Sequence, residues 1–174
     1  QEDCAPCTLG SFCAGGRAAP KACAAGTVAN ATGAAECAPC GAGLYQGEKG
    51  RTACVRCTAG GYCEAGAVVP TLCAAGSHSS AEGNAAQADC EACPAGSSCA
   101  AGSTQPMPCA AGSVANASGA AECAACVAGT YQSNKGETAC EGCGLGVYCP
   151  AGSSAALACG SGTFSNESGL ASEG

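Results

Sequence analysis

The sequence predicts a small disulfide-rich fold: an elongated tandem array of short stapled β-hairpins, with little or no helix and no large hydrophobic core. Three observations predict it. The first is composition. The 174 residues include 20 Cys and 28 Gly, but only four Tyr, two Phe and no Trp. Ala and Cys supply most of the nominally hydrophobic 47%, and Ala removes little area from water. At about 25 cal/mol per Å² of apolar area, burial alone cannot offset the ordering entropy of such a chain. Cross-links must hold it, and cysteine above about 8–10% marks a disulfide scaffold of oxidising compartments.

The second observation is a long-period repeat. Cysteines at 4, 7, 13, 23, 37, 40, 54, 57, 63 and 73 recur at 90, 93, 99, 109, 123, 126, 140, 143, 149 and 159, a uniform shift of 86 residues. Side chains follow the same shift, TVANATGAAECAPC (27–40) returning as SVANASGAAECAAC (113–126). Self-similarity at a fixed period is the signature of an array. It divides the chain into one cysteine-rich unit over 1–89 and a second over 90–174, the last hairpin of the second being incomplete.

The third observation is a finer repeat inside each unit. Six segments read Cys-x2-Gly-x-φ-x4-Gly, opened by Cys23, Cys40, Cys73, Cys109, Cys126 and Cys159, with Val28, Tyr45, His78, Val114, Tyr131 and Phe164 at φ. Glycine at two fixed offsets predicts backbone that needs positive φ or close approach, as in tight turns. The φ residue is expected to lie over the disulfide as the one sizeable packing group. A second, shorter segment type occurs at CTLGSFC (7–13), CTAGGYC (57–63), CPAGSSC (93–99) and CGLGVYC (143–149). A nine-residue bridge follows each, stiffened by Pro20, Pro70 or Pro106 in three of the four. Contacts are expected to stay between neighbouring repeats.

Charge narrows the partners. Six Lys and Arg against 13 Asp and Glu give a net charge of −7. Phosphate backbones are bound through clusters of Lys and Arg, so nucleic acid is not an expected partner. No apolar run approaches the ~18–20 residues of a membrane span, and no membrane contact is expected within this segment. The expected partners are proteins, either copies of the chain itself or other fibre subunits.

The stretch CAPCGAGLYQGEKGRTACVRC (37–57) poses a chemical choice, because two Cys-x2-Cys pairs are also what one tetrahedral zinc site needs. Zinc would account for Cys37, Cys40, Cys54 and Cys57 and leave the other spacings without a reason. It would also need thiolates, in a chain with three glycosylation sequons. Disulfides are the expectation, with no metal and no cofactor.

The same stretch, with CAACVAGTYQSNKGETACEGC, CVRCTAGGYC and CEGCGLGVYC, resembles the ephrin-receptor-like cysteine-rich repeat. It is also similar to the hairpin modules of tumour-necrosis-factor receptors. The pattern departs from both where Ser98 replaces an aromatic residue and where His78 fills a φ position. The Ala/Gly/Ser bias further resembles the very large cysteine-rich surface proteins of flagellate algae and other protists, including flagellar hairs (mastigonemes). These resemblances imply an extracellular or cell-surface location and a disulfide-stapled β fold.

Two pairings fit the spacing. If the first Cys of each Cys-x2-Cys closes one loop and the second opens the next, the pairs are 7–13, 23–37, 40–54, 57–63, 73–90, 93–99, 109–123, 126–140 and 143–149. Cys4 and Cys159 are then left over. A crossed scheme like that of the tumour-necrosis-factor receptor modules would instead join 7–23 and 13–37 and their equivalents. Both contain 40–54 and 126–140. A loop of about 15 residues contributes roughly 3 kcal/mol in the chain-entropy model.

Asn30-Ala-Thr, Asn116-Ala-Ser and Asn166-Glu-Ser are sequons, each seven residues after a hairpin-opening cysteine. Recurrence at one offset predicts presented loop tips carrying N-linked glycans at Asn30, Asn116 and Asn166. Catalysis has little to build on. His78 is the single histidine, and a coreless hairpin offers no water-excluding pocket for a nucleophile and its base. Glu36, Asp89, Glu122 and Glu137 read as solvated charge near closing cysteines, and no Asp-rich calcium loop occurs. The Cys-x2-Cys pairs stand outside any βαβ pattern, so a structural use outweighs a redox one.

The chain is therefore expected not to be an enzyme but a slice of a long glycosylated, disulfide-laddered rod or fibre. The alternative is the stalk or ligand-binding cysteine-rich region of a receptor or adhesion ectodomain. Residues 1–3 resemble the QAD before Cys90, and residues 160–174 hold a hairpin without its closing cysteine. Repeats are expected to continue on both sides.

Overall fold

The computed structural model describes residues 5–15 and 19–172. Each module opens on a Cys-x2-Gly turn. In the module opened by Cys23, the Thr27 N–H donates to the Ala24 carbonyl at 3.1 Å, closing a four-residue turn with Gly26 in third place at φ 82°. A type II turn needs positive φ at that place, which glycine adopts without a Cβ penalty. The Thr27 hydroxyl repeats the bond to the Ala24 carbonyl at 2.8 Å, and Ser77, Ser113, Thr130, Ser153 and Thr163 do the same in their own turns.

A two-residue strand follows each turn. Thr27–Val28 pairs antiparallel with Ala38–Pro39, the two residues inside the Cys-x2-Cys that ends one loop and opens the next. Leu44–Tyr45 pairs likewise with Val55–Arg56, and Thr130–Tyr131 with Glu141–Gly142. Nine such hairpins form among the described residues. The strands are short because one member of a pair, such as Ala38–Pro39 or Val55–Arg56, is confined between the two cysteines of a Cys-x2-Cys.

The loop closed by Cys73 and Cys90 is longer by three residues than the others of its kind, at a separation of 17 against 14. Its extra length winds into a 3₁₀ turn, Gln87–Asp89. The Asp89 carboxylate accepts from the Ala85 and Ala86 N–H groups at 2.7 and 3.1 Å. This is the one helical element among the described residues.

Contacts divide the chain into two compact units. One is Gln1–Cys73 with Ser79–Cys90, the other Ala74–His78 with Glu91–Gly174. Residues 74–78 fold with the second unit because the strand Ser77–His78 pairs with Glu91–Ala92.

The core is made of cysteine. Among the described residues every fully buried side chain of any size is a Cys, and Ala29 and Ala115 are the other buried apolar residues. The φ residues do not have the expected role. Val28, Tyr45, His78, Val114 and Tyr131 are only half-buried, and Phe164 is 89% exposed. Burial belongs to the residue after φ: Ala29, Gln46, Ser79, Ala115 and Gln132 in the long modules. In the short modules Cys63, Cys99 and Cys149 occupy that place. The turn and strand point the φ side chain outward, and period-two alternation sends its successor inward.

Candidate functional site

The chemistry-bearing groups of this chain are its disulfides, the backbone that joins its modules, and the loops it presents. Among the described residues nine disulfides join Cys7–Cys13, Cys23–Cys37, Cys40–Cys54, Cys57–Cys63, Cys73–Cys90, Cys93–Cys99, Cys109–Cys123, Cys126–Cys140 and Cys143–Cys149. This is the sequential scheme; none of the pairs peculiar to the crossed scheme, such as 7–23 or 13–37, forms. Cα separations of 5.6–6.2 Å suit the bond without backbone displacement. Cys159 is free and half-buried, and Cys4 lies outside the described residues. The sulfurs of Cys37, Cys40, Cys54 and Cys57 are divided among three disulfides, so they form no common ligand set. Among the described residues no other group of three His, Cys, Asp or Glu is placed to hold a metal ion.

Within the first unit from Cys7 to Cys73, and within the second from Cys93 to Cys143, successive modules are joined by four backbone hydrogen bonds. From the Cys23 module to the Cys40 module, Gly26 N–H donates to Gln46 O, and Cys40 N–H donates back to Gly26 O. Gly50 N–H donates to Cys23 O, and Ala29 N–H to Arg51 O, completing the quartet at 2.7–3.3 Å. The step from Cys40 to Cys57 uses Gly43, Cys57, Gly66 and Gln46 as donors in the same places. In the second unit the steps from Cys93 to Cys109, Cys109 to Cys126, and Cys126 to Cys143 repeat the quartet. Satisfying these buried groups is obligatory in a chain with so little sheet.

The spacing rule missed one thing here. Short and long segments are a single module. In the short ones the closing cysteine has moved to the buried place after φ, where it keeps the rung: Cys63 N–H donates to Asn84 O, and Cys63 O accepts from Gly43 N–H. The second glycine survives as Gly66, Gly102 and Gly152, all at positive φ. A Cys-x2-Gly after each short closing cysteine was the available signal.

Contacts also reach further than the neighbouring module. A Cβ built on Gly26 would fall on the carbonyl oxygen of Gly66, two modules on. Gly10 meets Gly50, Gly43 meets Gly83, Gly96 meets Gly136 and Gly112 meets Gly152 in the same way. The first glycine of a module thus answers both reasons for glycine at once, a left-handed turn and a backbone in van der Waals contact.

Where the buried place is polar, its side chain braces the loop. Gln46 Nε2 donates to Ala53 O at 2.7 Å and its Oε1 accepts from Glu48 N–H at 3.0 Å. Gln132 repeats this on Ala139 and Asn134 at 2.8 and 3.0 Å. In the Cys73 module Asn84 Nδ2 donates to Ser79 Oγ and to Gly61 O, at 2.9 and 3.1 Å. The sequon modules have Ala29 and Ala115 instead, with no such brace. Asn30, Asn116 and Asn166 are all exposed, the first two just past the strands Thr27–Val28 and Ser113–Val114.

The remaining candidates are peripheral. Glu36, Asp89, Glu122 and Glu137 are exposed. His78 pairs opposite Glu91, and its Nδ1 is buried without a protein hydrogen-bond partner. Tyr131 donates its hydroxyl to Glu141 Oε2 at 3.1 Å. That bond, followed by the carboxylate charge, holds the phenol above its ordinary value near 10. Arg51 and Glu48 form an exposed ion pair, of the kind worth little in water.

A cysteine core, glycine-built turns and stacked hairpins define a disulfide-rich receptor-like repeat domain of the extracellular type. Among the described residues no helix is long and apolar enough to cross a membrane. The family model described as tyrosine-protein kinase ephrin type A/B receptor-like matches residues 26–73 and 112–156, more than half of the chain and each starting at the first glycine of a module. The chain belongs to that ephrin-receptor-like family. No curated protein matches it.

Proposed function

We propose that this array is a structural segment of a glycosylated extracellular rod or fibre, whose work is to hold distance and present loops rather than to catalyse. The observation that carries this reading is the repeated backbone quartet between modules, which makes each module the template for the next. Nearest-neighbour stacking of that kind is how solenoid arrays gain stability and length. N-linked glycans at Asn30, Asn116 and Asn166 would coat the exposed loops, and the partners would be further copies or other fibre subunits. Family membership favours a second reading, a stalk in a receptor or adhesion ectodomain.

Small-angle scattering on the secreted protein tests the rod. A compact chain of this length has a radius of gyration near ~16 Å, and the rod reading expects a value well above it. Glycopeptide mapping of protein from its native source tests the coat, and bare asparagines at all three sequons would count against it. Immunolabelling of the source cells separates the two readings: label along fibres favours the structural role, label confined to the plasma membrane the stalk.

A further inference from the structure

The disulfides fall into two classes by how their two cysteines are held. Every opening cysteine of a pair is buried, from Cys23 and Cys57 at 0% exposure to Cys7 and Cys143 at 2%. The opener's backbone is also engaged in the rungs, as Cys23 shows by donating to Gly10 O and accepting from Gly50 N–H. Closing cysteines differ. In the short modules Cys63, Cys99 and Cys149 are at most 1% exposed, and each both donates to and accepts from a neighbouring module. In the long modules Cys37, Cys54, Cys90, Cys123 and Cys140 are half-buried, at the outer end of the loop. Cys13 is an intermediate case, on the rung but half-buried.

We propose that these five half-buried closing cysteines are thiol-exchange sites, at which an external thiol opens the long loops while the short disulfides and the backbone rungs stay in place. The external thiolate attacks Sγ of the closing cysteine and forms a mixed disulfide there. The bond to the opening cysteine breaks, and its Sγ leaves as a thiolate that takes up a proton from water. A second thiol equivalent then attacks the mixed disulfide, leaving the closing cysteine reduced and the two external thiols joined as a disulfide. Exchange depends on access to the sulfur attacked and on the leaving thiol. The buried opener admits no in-line approach, so attack is directed to one end of each bond. The short disulfides react only after a module leaves its rungs, a local unfolding event. The released loops include those of Asn30 and Asn116, so a thiol would free the presented loops without dismantling the stack.

The test uses the oxidised full chain and glutathione in excess, quenched by alkylation at intervals and mapped by peptide mass. Glutathione adducts are expected on Cys37, Cys54, Cys90, Cys123 and Cys140, and not on Cys23, Cys40, Cys73, Cys109 or Cys126. Loop length alone gives the 14-residue loops an advantage of only about fourfold over the six-residue ones. The expected rate ratio between the long class and Cys57–Cys63, Cys93–Cys99 and Cys143–Cys149 exceeds that. A ratio at or below it, or adducts divided evenly between openers and closers, would overturn the proposal. Far-ultraviolet circular dichroism after the fast phase is expected to keep the native signal; its loss in step with the first adducts would overturn the claim that the rungs persist.

Discussion

Gly26 shows most clearly what a single residue does in this chain. Its φ of 82° lies in the left-handed region, and its α-carbon faces Gly66 O with no room for a Cβ. Gly26→Ala is expected to cost about 1–2 kcal/mol for the backbone alone, and more for the displaced neighbour. Guanidinium denaturation of the oxidised protein reads the loss. Gly142→Ala, where a Cβ meets nothing within 4 Å, should stay within about 0.5 kcal/mol of the parent. Gln132→Ala strands the Ala139 carbonyl and the Asn134 N–H, at an expected cost of about 1–3 kcal/mol. Tyr131 gives a pH signature. Because Glu141 raises its pKa, the native state favours the protonated phenol. The resulting stabilisation is present below pH ~10 and fades as pH rises through the raised value. An ultraviolet titration should show Tyr131 ionising late, and Glu141→Gln should bring it back toward the ordinary value.

At the scale of the module, the cysteine and glycine positions were legible because each answers a local constraint that spacing alone records. The 40–54 and 126–140 staples followed from it under either pairing scheme, and so did the left-handed turns. What spacing did not record is direction. The φ residues looked like the packing group because they are large. In the structure the large side chain faces half outward, and the inward place takes Ala, Ser, Gln or Cys. A core with room only for small side chains leaves no hydrophobic pattern to read. Spacing pointed to the sequential pairing and left the crossed one open, because cysteine count and spacing do not encode connectivity; the structure has the sequential pairs. The 3₁₀ turn Gln87–Asp89 is an element that length announced and composition did not. Asp89→Ala removes the acceptor of two N–H groups, and faster hydrogen exchange at Ala85 and Ala86 is expected, with Cys73–Cys90 still formed.

For the molecule as a whole, stability within each unit is distributed along the chain rather than gathered in one centre. Hydrogen exchange should therefore be periodic: slow at the first glycines, such as Gly26, Gly43 and Gly112, and fast at the exposed loops between them, those of Asn30 and Asn116 included. A single slow-exchanging block in one part of the chain would contradict this. The backbone quartet has a further consequence, because its members are chosen by position and hardly at all by side chain. Within each unit, long and short modules stand next to one another and find the same four partners. Unequal recombination between such copies can then add or remove a module, or a whole 86-residue block, and leave the joint as sound as before. Relatives are expected to differ in copy number far more than in the residues at their joints, which comparison of their module counts would read directly.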